Sequence, residues 1–326
     1  MRRLLPGRLR QLGKRLLLRY RQPLIAWLCR HVPEDALRAA YDAEGYHLLR
    51  KHYYLPIPDQ QDLSDPSLDR PTELVGVRID AAAALDWLDR VVAPRMSEFR
   101  MRFPLHPNGD PKQFHLINGS FMAVDAHVYY ALIRSTKPRQ VIEIGGGQSS
   151  ILAATALATN AREQHPGRLT VIDPFPPDVL RQGVPGLDVL IPQRLQEVDL
   201  DRFTALQAGD ILFIDSTHVL RPGGDVQREY CEILPRLARG VLVHVHDICL
   251  PKPYPRVYFD QDWYWNEQYL LHAFLAFNSR FDVLWPGAYM THHHGDRVRG
   301  VIPEIKDMQA AYPLADASSF WMRVRE

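Results

Sequence analysis

The feature that most constrains the fold begins at residue 139. From there to the C-terminus, short apolar runs alternate with helix-length segments. Gln140-Val141-Ile142-Glu143-Ile144 is a β-branched run ending in Gly145-Gly146-Gly147, and a helix is predicted from about Ser149 to Glu163. Further strands are predicted at 169–173, 189–191, 210–215, 240–247, 281–285 and 320–324, with helices at about 225–237 and 266–277. Strands that are apolar throughout are buried on both faces, and their alternation with helices implies a parallel sheet covered on both sides. Ligands of such sheets bind at the carboxyl ends of the strands. The acids and histidines that close these runs are therefore expected to face one crevice.

Upstream the pattern is different. Residues 31–60 read as helical and then irregular, and 60–72 as a polar linker rich in Pro and Asp. Ile79, Ala82, Leu85, Leu88, Val91 and Val92 keep the 3.6 period, so 79–100 reads as one helix. A Pro-rich loop over 101–118 and a helix over 121–135 follow. The expected organisation is an arm at 1–30, a helical extension at 31–114 and the α/β domain at 115–326.

The chain has 326 residues, a net charge of +1, 46% hydrophobic and 24% charged residues, as expected of a globular protein. The net charge conceals an asymmetry. Residues 1–30 hold nine Arg and Lys and no acid, and the other 30 basic and 38 acidic residues leave the remainder at −8. A body of that charge excludes a nucleic-acid binder, which needs a basic face. In the arm, Leu4, Leu5, Leu9, Leu12, Leu16 and Leu17 recur at helical spacing among arginines. That pattern suits contact with an anionic membrane surface, or docking on the acidic body. No run is long enough to span a bilayer, and no signal peptide is expected. Three cysteines without a CxxC pair fit a reducing compartment and no structural zinc. The expected location is the cytoplasm, with peripheral contact at the inner membrane face.

The glycine loop lies between a strand and a helix, where glycines admit a ligand close to the backbone and the helix start offers free N–H groups. A dinucleotide fingerprint would place a third glycine at 150, where Ser150 stands, and no Walker lysine is present. Glu143 suits a cationic ligand better than a pyrophosphate, and Asp173, at the next strand end, suits a ribose diol.

The run Val141–Ser150, then Asp173, then Asp210–Asp215, resembles the class I S-adenosylmethionine-dependent methyltransferases. Phe213-Ile214-Asp215-Ser216-Thr217-His218-Val219 together with Gly240–Ile248 is similar to the branch found with bacterial surface-glycan and natural-product sugar pathways. The resemblance covers about residues 115–326. It implies a Rossmann-like α/β fold with a seven-stranded, mostly parallel sheet, helices on both faces and Phe320–Val324 as the antiparallel strand. It also implies S-adenosyl-L-methionine as cofactor. Glu143, Gly145, Gly146, Gly147 and Ser149 would shape the methionine end, Asp173 would bind the ribose, and Gln196 is assigned to the adenine.

Asp215 and His218 close one strand; His246 and Asp247 close the next. Adjacent strands lie about 4.8 Å apart, so their ends can share a substrate hydroxyl or a metal. His244 reads as a packed strand histidine. Methyl transfer to oxygen needs in-line alignment and removal of the hydroxyl proton. His218 is expected to be the base, with an ascending pH limb near about 6.5. Related sugar O-methyltransferases place aspartates at these two strand ends around a divalent cation, Mg or Mn, with a histidine three residues past the first, and Asp215, His218 and Asp247 match that pattern. The metal set expected here is Asp215, Asp247 and His246, the histidine standing where those relatives have a second acid.

Tyr258, Phe259, Trp263, Tyr264 and Trp265, interleaved with Asp260, Asp262 and Asn266, suit a sugar acceptor or the entry to a buried helix. Asn118, Phe121, Asp125 and Tyr129 are expected as a lid over the cofactor, and His292-His293-His294 as a solvated loop. The activity implied is methylation of a sugar hydroxyl on a glycan or glycosylated metabolite. A metal-dependent hydroxylase on the same fold, or a non-catalytic partner protein, is the alternative. A second copy of the chain is a further expected partner.

Overall fold

The computed structural model describes residues 20–325. It divides into two compact units, one up to Ser64 and one from Asp65 onward. Residues 65–114, grouped above with the N-terminal extension, therefore lie in the unit that carries the sheet. In the first unit, helix α1 (Glu34–Ala43) buries no residue. Residues 1–19 of the predicted arm lie outside the described residues. No helix among those described is long and apolar enough to cross a membrane.

The second unit is built on seven strands: β1 (Gln140–Ile144), β2 (Arg168–Ile172), β3 (Val189–Ile191), β4 (Ile211–Ile214), β5 (Leu242–Val245), β6 (Phe281–Pro286) and β7 (Phe320–Val324). Their spatial order is β3-β2-β1-β4-β5-β7-β6. β1 to β5 pair in parallel, and β7 runs antiparallel between β5 and β6. This is the class I methyltransferase arrangement. The order reverses between β1 and β4, so the carboxyl ends of these two strands flank the crevice where such sheets bind ligands.

Period-two alternation divides each strand between two cores. On β4, Ile211 and Phe213 join the core beneath helices α4 (Asp125–Thr136) and α5 (Gln148–Arg162), while Leu212 and Ile214 join the opposite one. Val141 likewise faces the α4 side and Ile142 and Ile144 the other, which sends Glu143 toward α4.

Three predicted elements differ. The helix over 79–100 is present but irregular: α2 (Ala81–Trp87) continues through a wide turn at Leu88–Val92 and a tight one at Ala93–Arg95 into α3 (Met96–Arg102). Pro94 lacks the N–H that a regular helix needs and its ring clashes with the preceding turn. Pro235 distorts the winding of 225–237 in the same way. Helix α6 (Glu267–Leu275) keeps most of its predicted span. His292–His294 are no loop but lie within helix α7 (Gly287–Val301), bent at His294 and anchored by buried Met290 and Val298.

Candidate active site

The glycine loop is fixed by what surrounds it. Gly145 adopts φ +85°, and a Cβ there would lie 1.9 Å from the Asp215 carbonyl oxygen. Its N–H donates to the Ile172 carbonyl at 2.9 Å, and the Asp215 N–H donates to the Ile144 carbonyl at 2.8 Å. The loop is thereby stitched to β2 on one side and to the end of β4 on the other. A Cβ at Gly146 would meet Val171 at 2.5 Å, whereas one at Gly147 would meet nothing within 4 Å. Gly147 is thus the point where a ligand can approach the backbone.

Two cavities border this loop. One, of about 470 Å³, is lined by Gly145, Asp173, Gln196, Arg194, Asp215 and Arg221 among others. Asp173 accepts from the Gly146 N–H at 3.0 Å and the Phe175 N–H at 2.7 Å, and Gln196 donates to the Gly223 carbonyl at 2.9 Å. The other, of about 340 Å³, is lined by Phe121, Gly146, Gly147, Gln148, Ser149 and Asp215 among others. Gln148 Oε1 there has no hydrogen-bond partner among the described residues.

Glu143 is the residue expected at the methionine end. It is fully buried beneath the loop. It accepts from Tyr129 Oη at 2.8 Å and from Ser150 Oγ. Burial outweighs those bonds and pushes its carboxyl up to about 7. Its contact is with the α5 start and α4, so it braces the loop from below. The expected lid is also redistributed. Phe121 lines the smaller cavity, Tyr129 holds Glu143, and Asn118 caps its own turn by accepting from the Ser120 and Phe121 N–H groups. Asp125 accepts from the N–H groups of Ser318 and Ser319.

The two strand ends do meet. His218 Nε2 stands 3.3 Å from Asp215 Oδ1 and 3.5 Å from Asp247 Oδ2. Donor atoms of these three residues all lie within 4.8 Å of one another, so the trio could hold a metal ion. His218 and Asp247 have φ of +59° and +54°, a left-handed conformation that non-glycine residues adopt at a cost and that collects at functional sites. Although burial opposes it, hydrogen bonds with Asp215 and Glu267 hold the His218 ring well above its usual pKa. Burial also works against the Asp215 anion, but the charge of His246 and the bond to His218 keep it below the carboxylate range.

His246 does not join the trio. It follows His244 onto the α4 face, where its ring sits 5.2 Å from Phe121, and its Nε2 is 3.8 Å from Asp247 Oδ1. His218 replaces it as the nitrogen donor of any metal set. His244 is packed between Phe213, 4.0 Å away, and Trp321, 4.8 Å away.

Residues the sequence did not single out complete the site. Glu267, at the start of α6, accepts from His218 Nδ1 at 2.9 Å. Ser318 Oγ donates to Asp247 Oδ1 at 3.2 Å. A third cavity, of about 270 Å³, opens beyond Asp247 and is lined by Asp125, Lys252, Tyr258, Asp316 and Ser318 among others. Of the aromatic run, Trp265 packs on His218 at 4.4 Å and stacks on the more exposed Trp263 at 5.3 Å.

Residues 142–248, from β1 to just past Asp247, match the family model for a methyltransferase domain. Over 164 residues the chain is 28% identical to an uncharacterized protein of Archaeoglobus fulgidus, covering 48% of this chain and 72% of that one. A solved structure described as a protein-L-isoaspartate O-methyltransferase of Plasmodium falciparum, in complex with S-adenosyl-L-homocysteine, aligns at 11% identity with a TM-score of 0.29. That alignment covers 52% of this chain and 84% of that one, and is too loose for its ligand to bear on this protein. The glycine loop and the Asp215–His218–Asp247 trio thus lie within the segment that matches the methyltransferase-domain model, on a sheet with the strand order of the class I methyltransferase fold.

Proposed function

We propose that this protein transfers the methyl group of S-adenosylmethionine to a sugar hydroxyl on a glycan or glycosylated metabolite. The observation that carries this reading is the position of Asp215–His218–Asp247. Asp215 borders both cavities along the glycine loop, and Asp247 borders the separate cavity beyond it. A donor on one side and an acceptor on the other would meet at this trio. The cavity walls suit the cofactor. Asp173 suits ribose hydroxyls, the open backbone at Gly147 admits the amino-acid end, and the unpartnered Gln148 Oε1 can accept from its ammonium.

His218 Nε2 is the atom placed to take the acceptor proton, with the two carboxylates stabilising the imidazolium that forms. The same trio fits a divalent ion by its donor types, one ring nitrogen and two carboxylates. An ion held there by Asp215, His218 and Asp247 would acidify the bound hydroxyl. The test is calorimetric titration with S-adenosylhomocysteine, followed by a screen of nucleotide sugars and glycan extracts with labelled cofactor, with and without a chelator. Binding of S-adenosylhomocysteine and label transfer to a sugar fraction are expected. Turnover that consumes oxygen and needs iron, or no binding of S-adenosylhomocysteine, would overturn the proposal.

A further inference from the structure

Glu267 lies 49 residues beyond His218 in sequence, yet it is the best-formed contact of that ring. Both side chains are withdrawn from solvent, with Glu267 fully buried and His218 4% exposed. The pairing is reinforced through the backbone. The His218 carbonyl accepts from the Asn266 N–H at 3.0 Å and the Glu267 N–H at 3.1 Å, the N-cap and first residue of α6. Asn266 Oδ1 accepts from the Leu220 N–H at 2.6 Å. The start of α6 therefore clamps the left-handed turn that carries His218, and Trp265 closes over the ring face.

A neutral imidazole carries its proton on one nitrogen, and the partner of one nitrogen decides what the other can do. A carboxylate accepts and cannot donate, so Glu267 Oε2 at 2.9 Å requires the proton on Nδ1. Nε2 is then left facing Asp215 and Asp247, with its lone pair free when the ring is neutral. Among the described residues nothing else around the ring supplies this constraint, since Asp215 and Asp247 both meet Nε2. Glu229, the other fully buried acid nearby, is bonded by Ser216 Oγ at 3.2 Å.

We infer that Glu267 is a positioning residue that fixes the His218 ring in the Nδ1-protonated form and presents Nε2 to the gap between Asp215 and Asp247. The assignment rests on the proposed methyl transfer only for its use of Nε2. It stands whether Nε2 takes a proton or binds a metal.

The test is nitrogen-15 NMR of the full-length protein labelled at histidine, with the His218 signals assigned by their loss in His218→Asn. In the native protein His218 is expected to show a protonated Nδ1 whose proton is far downfield and slow to exchange, as a bond to a buried carboxylate requires. Glu267→Gln is expected to move that proton upfield and Glu267→Ala to abolish it, and Glu267→Asp to restore part of the shift. S-adenosylhomocysteine affinity is expected to be unchanged in all three. On an acceptor found by screening, kcat of Glu267→Gln should fall about 10- to 100-fold with an unchanged cofactor KM. A native His218 protonated on Nε2 alone, or an Nδ1 proton unmoved by Glu267→Gln, overturns the inference. The native spectrum decides this even if the variants fail to fold. Failure of native protein to bind S-adenosylhomocysteine would instead count against the methyltransferase reading and leave the spectrum to judge Glu267 by itself.

Discussion

Asp173 shows how one side chain would serve both the loop and the proposed ligand. Its two oxygens accept from the Gly146 and Phe175 N–H groups, which leaves their outer lone pairs toward the 470 Å³ cavity. Asp173→Ala would remove the proposed ribose acceptor and free the glycine loop together. Hydrogen bonds to a charged group contribute about 1.5–3 kcal/mol. S-adenosylhomocysteine affinity is therefore expected to fall by about 10- to 100-fold, as titration of the variant would reveal. Equal affinity would place the ribose elsewhere. At His218 the structure changes the sequence expectation of a limb near 6.5. Bonds to Asp215 and Glu267 overcome burial and raise the ring's pKa, so the basic form that accepts a proton is populated only at higher pH. The ascending limb of kcat/KM should lie on the alkaline side of ordinary histidine. A limb at or below that value would mean that some other group is the base.

At the level of elements, β1 presents Glu143 to α4 and α5, and its environment yields a stability prediction. Burial pushes its carboxyl from 4.5 up to about 7. The folded state then holds a proton that the unfolded chain has already released, so this group's contribution falls as pH rises from about 4.5 to about 7 and is flat above. Glu143→Gln should remove that slope and stabilise the protein at pH 8 by roughly 2–4 kcal/mol. Denaturant unfolding at pH 5 and pH 8 measures it, and an unchanged slope would show that Glu143 ionises freely. Element by element, the strands were legible because β-branched apolar runs buried on both faces have no other use for their pattern. Val189–Ile191 and Phe320–Val324 appear where their composition puts them. The changes of winding at Pro94 and Pro235 were less so, because apolar periodicity continues through the proline while the regular hydrogen-bond ladder cannot. His292–His294 read as a loop since three polar rings conceal an anchoring that comes from Met290 and Val298 on either side. Asp215, His218 and Asp247 could be drawn together from strand ends alone. Glu267 could not, because a glutamate at a helix start is ordinarily solvated, and only the fold turns this one inward onto His218. His246 was misplaced for a related reason. Period two fixes which face it takes, but not that this face is closed by Phe121.

At the scale of the whole molecule, charge and burial are segregated along the chain. Nine basic residues without an acid occupy positions 1–30, and no residue from 20 to 64 whose burial is described is buried. We expect full-length protein to cosediment with anionic liposomes, less so as salt rises, and not at all after deletion of residues 1–30. Equal sedimentation of the two proteins would remove the arm from consideration. Every residue lining the three cavities lies between Gly119 and Ser318, and the buried apolar core begins at Leu74. A fragment spanning 65–326 thus keeps every buried apolar residue of the described chain and the whole candidate site. It is expected to bind S-adenosylhomocysteine within about twofold of the full chain, since only ligand contacts enter that equilibrium. Ligand at 100 times Kd stabilises a folded state by about 2.7 kcal/mol. For a domain of this size that raises Tm by about 5–10 °C, and the rise should be the same for fragment and full chain. Thermal melts of both proteins across a ligand series, read beside the titrations, decide it. A fragment that melts normally yet shows no ligand-dependent rise, while the full chain does, would mean that residues before Asp65 contribute to binding.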